Sequence, residues 1–139
     1  MELQFDGLNE IMRRLGDVAI EDEDENRALN KAAKVLQKKV IEEAPEDDGP
    51  QDEYSLKKNI KVKRAKDGVV HVHTDKAYHA HIVEGGRSAG SKYALKNGKR
   101  QLVTWGFQQA NPFFTRAFRN VETELVSTIE NEIRKALRI

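Results

Sequence analysis

Apolar side chains recur at three- and four-residue intervals through the C-terminal part of the chain, and this stripe constrains the fold more than any other feature. Its members are Phe114, Phe118, Val121, Leu125, Ile129, Ile133 and Leu137. The spacing predicts a helix of roughly 27 residues, about 40 Å long, with one apolar face. Asn111 is a good N-cap for this helix, and Pro112 suits its first helical position.

Two further helices are predicted nearer the N-terminus. The stronger pattern follows the acidic run of residues 21–25, which suits the helix dipole, and stops at Ala44-Pro45 because proline disfavours helical geometry in the residue before it. Its apolar members are Ala28, Leu29, Ala32, Ala33, Val35, Leu36 and Val40. A shorter helix of about three turns is predicted between Asp6 and Gly16.

The middle of the chain changes to a period of two, which is typical of β-strands. The candidate inward positions are Ile60, Val62, Val70 and Val72. Between them, Lys66-Asp67-Gly68 predicts a hairpin turn. Residues 77–84 could continue as a strand or form a short helix, and periodicity cannot decide between the two over so few residues. We expect a helical turn that runs into Glu84. The predicted fold class is α+β, with a small antiparallel β-sheet packed by long helices.

Composition favours a single domain that works with partners. The 139 residues suit one unit, taken as residues 1–139. The apolar share of 38% against 34% charged residues suggests either that partners supply part of the buried surface or that some segments are mobile. The absence of cysteine excludes disulfides and thiolate nucleophiles and is compatible with a reducing cytoplasm. The N-terminus lacks a signal-peptide pattern, and no run is long enough to span a bilayer, so we expect no membrane partner.

The net charge of +1 conceals a separation of charge along the chain. Residues 1–55 hold 7 Lys and Arg against 16 Asp and Glu, a net charge of −9, whereas residues 56–139 hold 17 against 7, a net charge of +10. Such a division can mark a basic partner surface, an acidic solubilising segment or complementary faces of identical subunits. In the third case, identical subunits that pack head to tail close into a ring.

Residues 85–109 are rich in glycine and basic residues and contain no acid. A long stretch of this kind predicts an extended basic loop, and such loops are usually functional. Its basic and aromatic side chains are also the mixture that contacts phosphates and stacks on bases, so a DNA-binding accessory protein is one alternative function. The candidate residues for a subunit or partner interface are Glu84, Arg87, Lys92, Tyr93, Lys96, Lys99, Arg100 and Trp105.

The histidines suggest a second alternative, a metal-dependent enzyme. All four lie close together in the sequence, at His71, His73, His79 and His81. Because alternate residues of a strand share a face, His71 and His73 could offer two nitrogens to one metal. No H-E-x-x-H motif accompanies them, and exposed histidines on the polar face of a sheet explain the pattern more simply. We therefore expect no metal site and no cofactor.

Catalytic motifs are also missing from the rest of the sequence. The serines lie in no G-x-S-x-G context, and no nucleotide-binding glycine motif occurs. Glu84 beside Gly85-Gly86 could act as a general base, but a carboxylate that caps a turn or pairs across an interface is the favoured interpretation. The chain is therefore predicted not to be an enzyme.

Several short motifs occur in a fixed order over nearly the whole chain. They are Phe5-Asp6-Gly7-Leu8, Ala44-Pro45, Asp48-Gly49, Leu56-Lys57-Lys58-Asn59-Ile60, Tyr78 through Glu84-Gly85, and Asn111-Pro112-Phe113-Phe114 with Ala117-Phe118. In this order and spacing the chain resembles the tail-component family of long-tailed bacteriophages. It departs from the family in having Gly85-Gly86 where Gly-Thr is usual, and in the longer acidic loop of residues 46–53.

The resemblance implies an α+β subunit that forms a ring between the tail tube and the head connector, with DNA passing through it. The expected function is that of a structural phage or prophage virion protein, a ring-forming adaptor in head-to-tail joining or tail completion. Its implied partners are tail tube and head connector proteins, with at most non-specific contact to DNA. The family has no established catalytic residues, and assembly is expected in the cytoplasm of the bacterial host.

Overall fold

Three helices, a three-stranded sheet and a separate hairpin make up the part of the chain that the structure describes. The computed structural model describes residues 2–3, 21–46 and 52–138. The helices are α1 (Asp22–Glu43), α2 (Ala80–Gly85) and α3 (Phe113–Leu137), and Lys57–Asn59 form a 3-10 turn. The strands are β1 (Glu2–Leu3), β2 (Lys61–Lys66), β3 (Val69–His73), β4 (Gly90–Lys96) and β5 (Lys99–Trp105). The predicted α+β fold class is confirmed.

The helix α1 contacts both α3 and the sheet, and its ends agree with the sequence pattern. The acidic residues 22–25 occupy its first turn, where negative charge is favourable near the positive end of the helix dipole. At the other end, Ala44 has an extended ψ of 136° because Pro45 disfavours helical geometry in the residue before it. The buried residues of α1 are Ala28, Leu29, Ala32, Ala33, Leu36 and Val40. Its small alanines allow neighbouring elements to approach closely, and α1 packs on α3, β2 and β3.

The apolar stripe predicted from the sequence is the buried face of α3. The residues that α3 buries are Phe113, Phe114, Ala117, Val121, Leu125, Ile129 and Ile133. Phe118 and Leu137 are partly buried at the edge of the same cluster. Because α1 packs on α3 and also on β2 and β3, the core extends over both of these contacts.

The strand β3 is the middle strand of the three-stranded sheet, in the order β1-β3-β2, and both of its pairings are antiparallel. Val62 faces Val72 across the β2–β3 pair. Asp67 and Gly68 connect these strands with φ values of 53° and 77°. A two-residue hairpin turn of type I′ requires positive φ values at both positions. Val70 and Val72 are buried in the core. The predicted turn and inward valines are therefore confirmed.

The start of α3 differs from the prediction by one residue. Its first residue is Phe113, and Pro112 lies in the flanking position. Asn111 does not cap the helix, because its side-chain oxygen accepts a hydrogen bond from Arg116 Nη2 at 3.0 Å. The helical turn expected in residues 77–84 is present as α2. Glu84 of α2 caps α3 in place of Asn111.

Residues 85–109 are not the structureless loop that the sequence predicted. The strands β4 and β5 within this segment pair antiparallel in continuous register. Asn97 and Gly98 make the turn between them, with φ values of 52° and 75°. An Asn-Gly pair between two strand-length runs is the strongest short-range signal for a hairpin, whereas the many glycines and basic residues around it are typical of loops. Residues 90–105 are referred to below as the hairpin.

Two predicted features lie outside the described residues. These are the helix between Asp6 and Gly16 and most of the acidic loop of residues 46–53. Both therefore remain predictions. Within residues 21–46 and 52–138, no helix is long and apolar enough to cross a membrane.

Candidate interaction surface

The hairpin joins the rest of the chain through a short stem. Arg87 and Gln108 exchange two backbone hydrogen bonds of 3.0 and 2.9 Å, and Arg87 Nε donates to the carbonyl oxygen of Gly106 at 3.0 Å. Gly86 precedes the stem with φ 72° and ψ −179°, a conformation that is almost restricted to glycine. A Cβ at this position would lie 2.8 Å from both the Gln108 oxygen and the Ala110 nitrogen. Gly86 therefore allows two backbone segments to pass closely at the stem.

Trp105 supports the base of the hairpin from the end of β5. Its indole Nε1 donates to the carbonyl oxygen of Ser88 at 3.1 Å. Its ring covers Gly90 on the paired strand, where an added Cβ would come within 2.8 Å of a ring carbon. The predicted interface residues Arg87 and Trp105 thus both hold the hairpin together from within the chain.

One face of the hairpin is apolar and exposed. Tyr93, Leu95 and Leu102 share this face because side chains alternate along a strand and directly paired residues lie on the same side. Their exposed fractions are 62%, 77% and 56%. Arg100 belongs to the same face, with its guanidinium carbon 4.6 Å from the centroid of the Tyr93 ring, a cation–π distance. Tyr93, Leu95 and Leu102 are referred to as the apolar face.

The opposite face of the hairpin is cationic. Lys92, Lys96 and Lys99 lie on it, again by the alternation of side chains and the register of the strands. All three are exposed, and we refer to them as the lysine face. The three exposed apolar side chains and the three lysines therefore lie on opposite faces of the hairpin, with Arg100 on the first face and Val103 and Trp105 on the second. This arrangement was not predicted from the sequence, because no strand was assigned to these residues.

Glu84, near the end of α2, caps the first turn of α3. Its Oε2 accepts a hydrogen bond from the backbone N–H of Phe114 at 2.9 Å. Its Oε1 accepts from the backbone N–H of Thr115 at 3.1 Å and from the Thr115 hydroxyl at 2.6 Å. A carboxylate in this position satisfies N–H groups that have no partner within the helix and is favoured by the helix dipole. Both oxygens are thus used within the chain, which supports the capping interpretation over a general base.

Tyr54 and Tyr78 form a second exposed apolar surface, which was not predicted from the sequence. Their ring centroids are 6.0 Å apart in an edge-to-face arrangement, and the side chains are 45% and 74% exposed. The ring of His79 lies beside Tyr78 at a centroid distance of 5.6 Å. We refer to Tyr54 and Tyr78 as the tyrosine patch. The two residues are distant in sequence, and no local pattern predicts their contact.

The buried Asn59 fixes the two segments that carry the tyrosine patch. Its Nδ2 donates to the carbonyl oxygens of Glu53 and Ser55, each at 2.8 Å. Its Oδ1 accepts from the backbone N–H of Lys76 at 3.3 Å. One side-chain amide therefore holds the two tyrosine-bearing segments together, and Asn59 itself is only 2% exposed.

The four histidines lie on three different parts of the fold. His71 and His73 share one face of β3 as predicted, His79 directly precedes α2, and His81 lies on α2. The Nδ1 atom of His73 accepts a hydrogen bond from the backbone N–H of Asp75 at 3.2 Å. Across residues 21–46 and 52–138, no group of three or more His, Asp or Glu side chains could hold a metal ion. These positions give the metal-dependent alternative no support.

Residues 6–86 match the model of one protein family, described as "Bacteriophage HK97-gp10, putative tail-component". The match covers more than half of the chain. The chain therefore belongs to this family of bacteriophage tail components. No curated protein and no solved structure matches the chain significantly.

Membership in this family makes the chain a structural phage protein, and a tail component is part of the virion. The family predicted from the order of the sequence motifs is thereby confirmed. The match ends at Gly86, directly before the stem, so the hairpin and α3 follow the matched region. The interface roles assigned to residues of the hairpin remain predictions.

Proposed function

We propose that the chain is a non-enzymatic adaptor that forms a ring in head-to-tail joining or tail completion of a phage or prophage. The hairpin is the observation that carries this proposal. It lies in a segment without acidic residues, and its apolar face is left exposed by the described part of the chain. An exposed apolar surface of this kind is typical of a protein that acts by contact with other proteins.

The opposite charges of the two parts of the chain support a ring of identical subunits. In this arrangement the acidic residues of one copy face the basic hairpin of the next, and repetition of one head-to-tail contact closes the ring. The tail tube and the head connector are the proposed neighbours of the ring, and DNA passes through its centre. Assembly takes place in the host cytoplasm before the chain becomes part of the virion.

Deletion of the gene from a phage or prophage that encodes the chain tests the adaptor role. We expect DNA-filled heads and separate tails, seen by electron microscopy, together with the loss of infectious particles. Expression of the chain in the same cells should restore joined particles. Normal yields of joined, infectious particles without the chain would contradict the proposal.

Light scattering at several protein concentrations and salt concentrations tests the ring. Salt screens exposed charges, so an association driven by the charged surfaces should weaken as ionic strength rises. Free subunits that associate only after docking on the connector would remain monomeric in solution. A monomer under every condition would therefore count against self-assembly of the free chain, while the deletion experiment tests the adaptor role separately.

The lysine face favours one second candidate, a DNA-binding accessory protein. Three exposed lysines on one side of a hairpin can neutralise phosphates without reading sequence. Under this alternative, replacement of Lys96, Lys99 and Arg100 by glutamine should abolish binding to a duplex, and wild-type affinity should fall steeply with salt. Fluorescence anisotropy with a labelled duplex separates the two functions, because the adaptor role requires no measurable binding by the free chain.

A further inference from the structure

We propose that the apolar face of the hairpin docks on the tyrosine patch of a neighbouring copy of the same chain, and that this contact is the repeating joint of the ring. The inference rests on the proposed function, since it names the surfaces through which the ring would form. Three observations support it: the exposure of the hairpin, the construction of the tyrosine patch, and the charges of the sequence segments that contain each surface.

The apolar face requires a partner. A two-stranded hairpin by itself is at best marginally stable in water and normally packs its apolar side against another element. Here β4 and β5 pack mainly on each other, and Leu95 is 77% exposed. Each strand has seven residues, which corresponds to a length of about 23 Å at about 3.3 Å per residue. The hairpin is therefore long enough to lie across the surface of a second subunit.

Among the described residues, the tyrosine patch is the surface on which the apolar face of a second copy would dock. Beyond the hairpin, the large apolar side chains exposed in residues 21–46 and 52–138 are Tyr54, Tyr78 and, close to the stem, Phe107. Tyrosine is enriched at the energetically important centres of protein interfaces. The hydrogen bonds of Asn59 hold the two tyrosine-bearing segments in place before any partner binds. A surface that is already ordered loses little conformational entropy on docking.

Charge complementarity favours a second copy of this chain as the partner. The segment leading into the patch, residues 46–54, contains five acidic residues and no Lys or Arg. Glu46 pairs with Lys57 at 2.9 Å and Glu53 with Lys76 at 3.4 Å, and the segment together with these two lysines keeps a net charge of −3. The segment that contains the hairpin, residues 85–109, contains five basic residues and no Asp or Glu. Opposite charges around an apolar contact steer association and fix its orientation. Because the two surfaces differ, the contact is head to tail and each copy can bind two neighbours.

Engineered cysteines test the joint directly, since the natural chain contains none. A Leu95→Cys, Tyr78→Cys double variant carries one thiol on each proposed surface. Particles purified from cells that produce this variant are treated with a short bismaleimide and analysed on a denaturing gel with an antibody to the chain. We expect a ladder of covalent multimers that ends at the ring, whereas either single variant should give no ladder.

The matched control moves one thiol to the adjacent residue. Lys96→Cys combined with Tyr78→Cys places this thiol on the lysine face, because neighbouring side chains of a strand point to opposite sides. We expect no ladder from this pair. An equally strong ladder from the control would overturn the joint. A monomer band of the Leu95→Cys, Tyr78→Cys variant that shows crosslinking within one chain would also overturn it.

The same particles distinguish failure of the joint from failure of the adaptor role. If the chain is present in the particles but no ladder forms, the joint is wrong and the adaptor role is unaffected. If the chain is absent from wild-type particles, the adaptor role is wrong and the joint is overturned with it.

A photoreactive benzoylphenylalanine in place of Tyr93 provides a second measurement that keeps an aromatic side chain at the contact. Crosslinks to peptides of another copy that contain Tyr54 or Tyr78 would support the joint. Crosslinks to a different protein, or to residues 4–20 of the same chain, would overturn it. Mass spectrometry of mixed isotope-labelled copies separates links within one chain from links between copies.

Discussion

The carboxylate of Glu84 accepts hydrogen bonds from both the backbone N–H and the hydroxyl of Thr115, at 3.1 and 2.6 Å. This contact joins the end of α2 to the first turn of α3 across the segment that carries the hairpin. In the stem, Arg87 follows Glu84 by three residues, and Gln108 precedes the first residue of α3 by five. The cap therefore fixes the base from which the hairpin extends.

Replacement of Glu84 by alanine should destabilise the fold by about 0.5 to 2 kcal/mol, the range typical of the loss of a helix cap. The change removes the acceptor for the backbone N–H groups of Phe114 and Thr115. Urea unfolding measures the effect. Glu122→Ala is the matched control, since Glu122 is an exposed glutamate further along α3, and it should change the free energy of unfolding little. Equal effects of the two substitutions would contradict the capping role.

The parts of the fold that could be predicted from sequence are those in which a local pattern determines the structure. The extent of α1 followed from its apolar spacing and from Pro45, and the β2–β3 turn followed from Asp67-Gly68. The hairpin could have been predicted in the same way, because Asn97-Gly98 forms the same kind of turn. The local signal for a hairpin was present at Asn97-Gly98, but the glycine-rich, basic residues around it led to the wrong prediction of a loop.

The remaining features depend on contacts between segments that are distant in sequence. Asn111 has the residue type of an N-cap, yet Glu84 supplies the cap, because the fold brings the end of α2 to the start of α3. Tyr54 and Tyr78 likewise lie on two segments, distant in sequence, that Asn59 joins by hydrogen bonds. No periodicity or spacing within one segment contains this information, so the tyrosine patch required the structure.

Gly86 and its neighbour Gly85 provide a matched pair of substitutions at the stem. Gly86→Ala should destabilise the chain by about 1 to 3 kcal/mol, because its φ of 72° with ψ −179° strains any other residue. The added Cβ would also lie 2.8 Å from two backbone atoms. A Cβ at Gly85, in contrast, meets nothing within 4 Å, and alanine there should be neutral or stabilise the end of α2 by up to about 1 kcal/mol.

Thermal and urea unfolding of the two variants compare these effects under identical conditions. The difference between the variants is the informative quantity, since each change adds the same methyl group. A similar free energy of unfolding for the two would mean that the stem does not require glycine at position 86.

Asn59→Ala should destabilise the chain by about 1 to 3 kcal/mol, because the substitution leaves two carbonyl oxygens and one backbone N–H without this side-chain partner in a buried site. The change should also release the segments that hold the tyrosine patch. Hydrogen exchange around residues 53–55 and 76–78 measures this second effect. Asn120→Ala, on the exposed side of α3, is the control and should change neither quantity. Unchanged exchange in the Asn59 variant would show that another contact holds the patch.

The pairing of α1 with α3 should make stability depend on pH through Glu43. The Arg116 guanidinium donates to Glu43 Oε2 at 2.6 Å, and this hydrogen bond lowers the pKa of the Glu43 carboxyl below its usual value. Desolvation opposes the shift, whereas the charges of Arg116 and Lys39 add to it. A lowered folded-state pKa stabilises the fold at pH values above the unfolded-state pKa of the carboxyl. This contribution is lost as the pH falls through the lower folded-state pKa.

Glu43→Gln should therefore lower the free energy of unfolding at neutral pH and bring the variant closer to the wild type in acid. Urea unfolding from neutral to acidic pH measures the difference between the two curves. Glu42→Gln is the control on the same helix, since Glu42 lies 3.6 Å from Lys39 and makes no contact with α3 in the described ion pairs. Its curve should stay nearly parallel to that of the wild type. If the Glu43 curve is equally parallel, the ion pair with Arg116 does not contribute to the acid sensitivity of the α1–α3 contact.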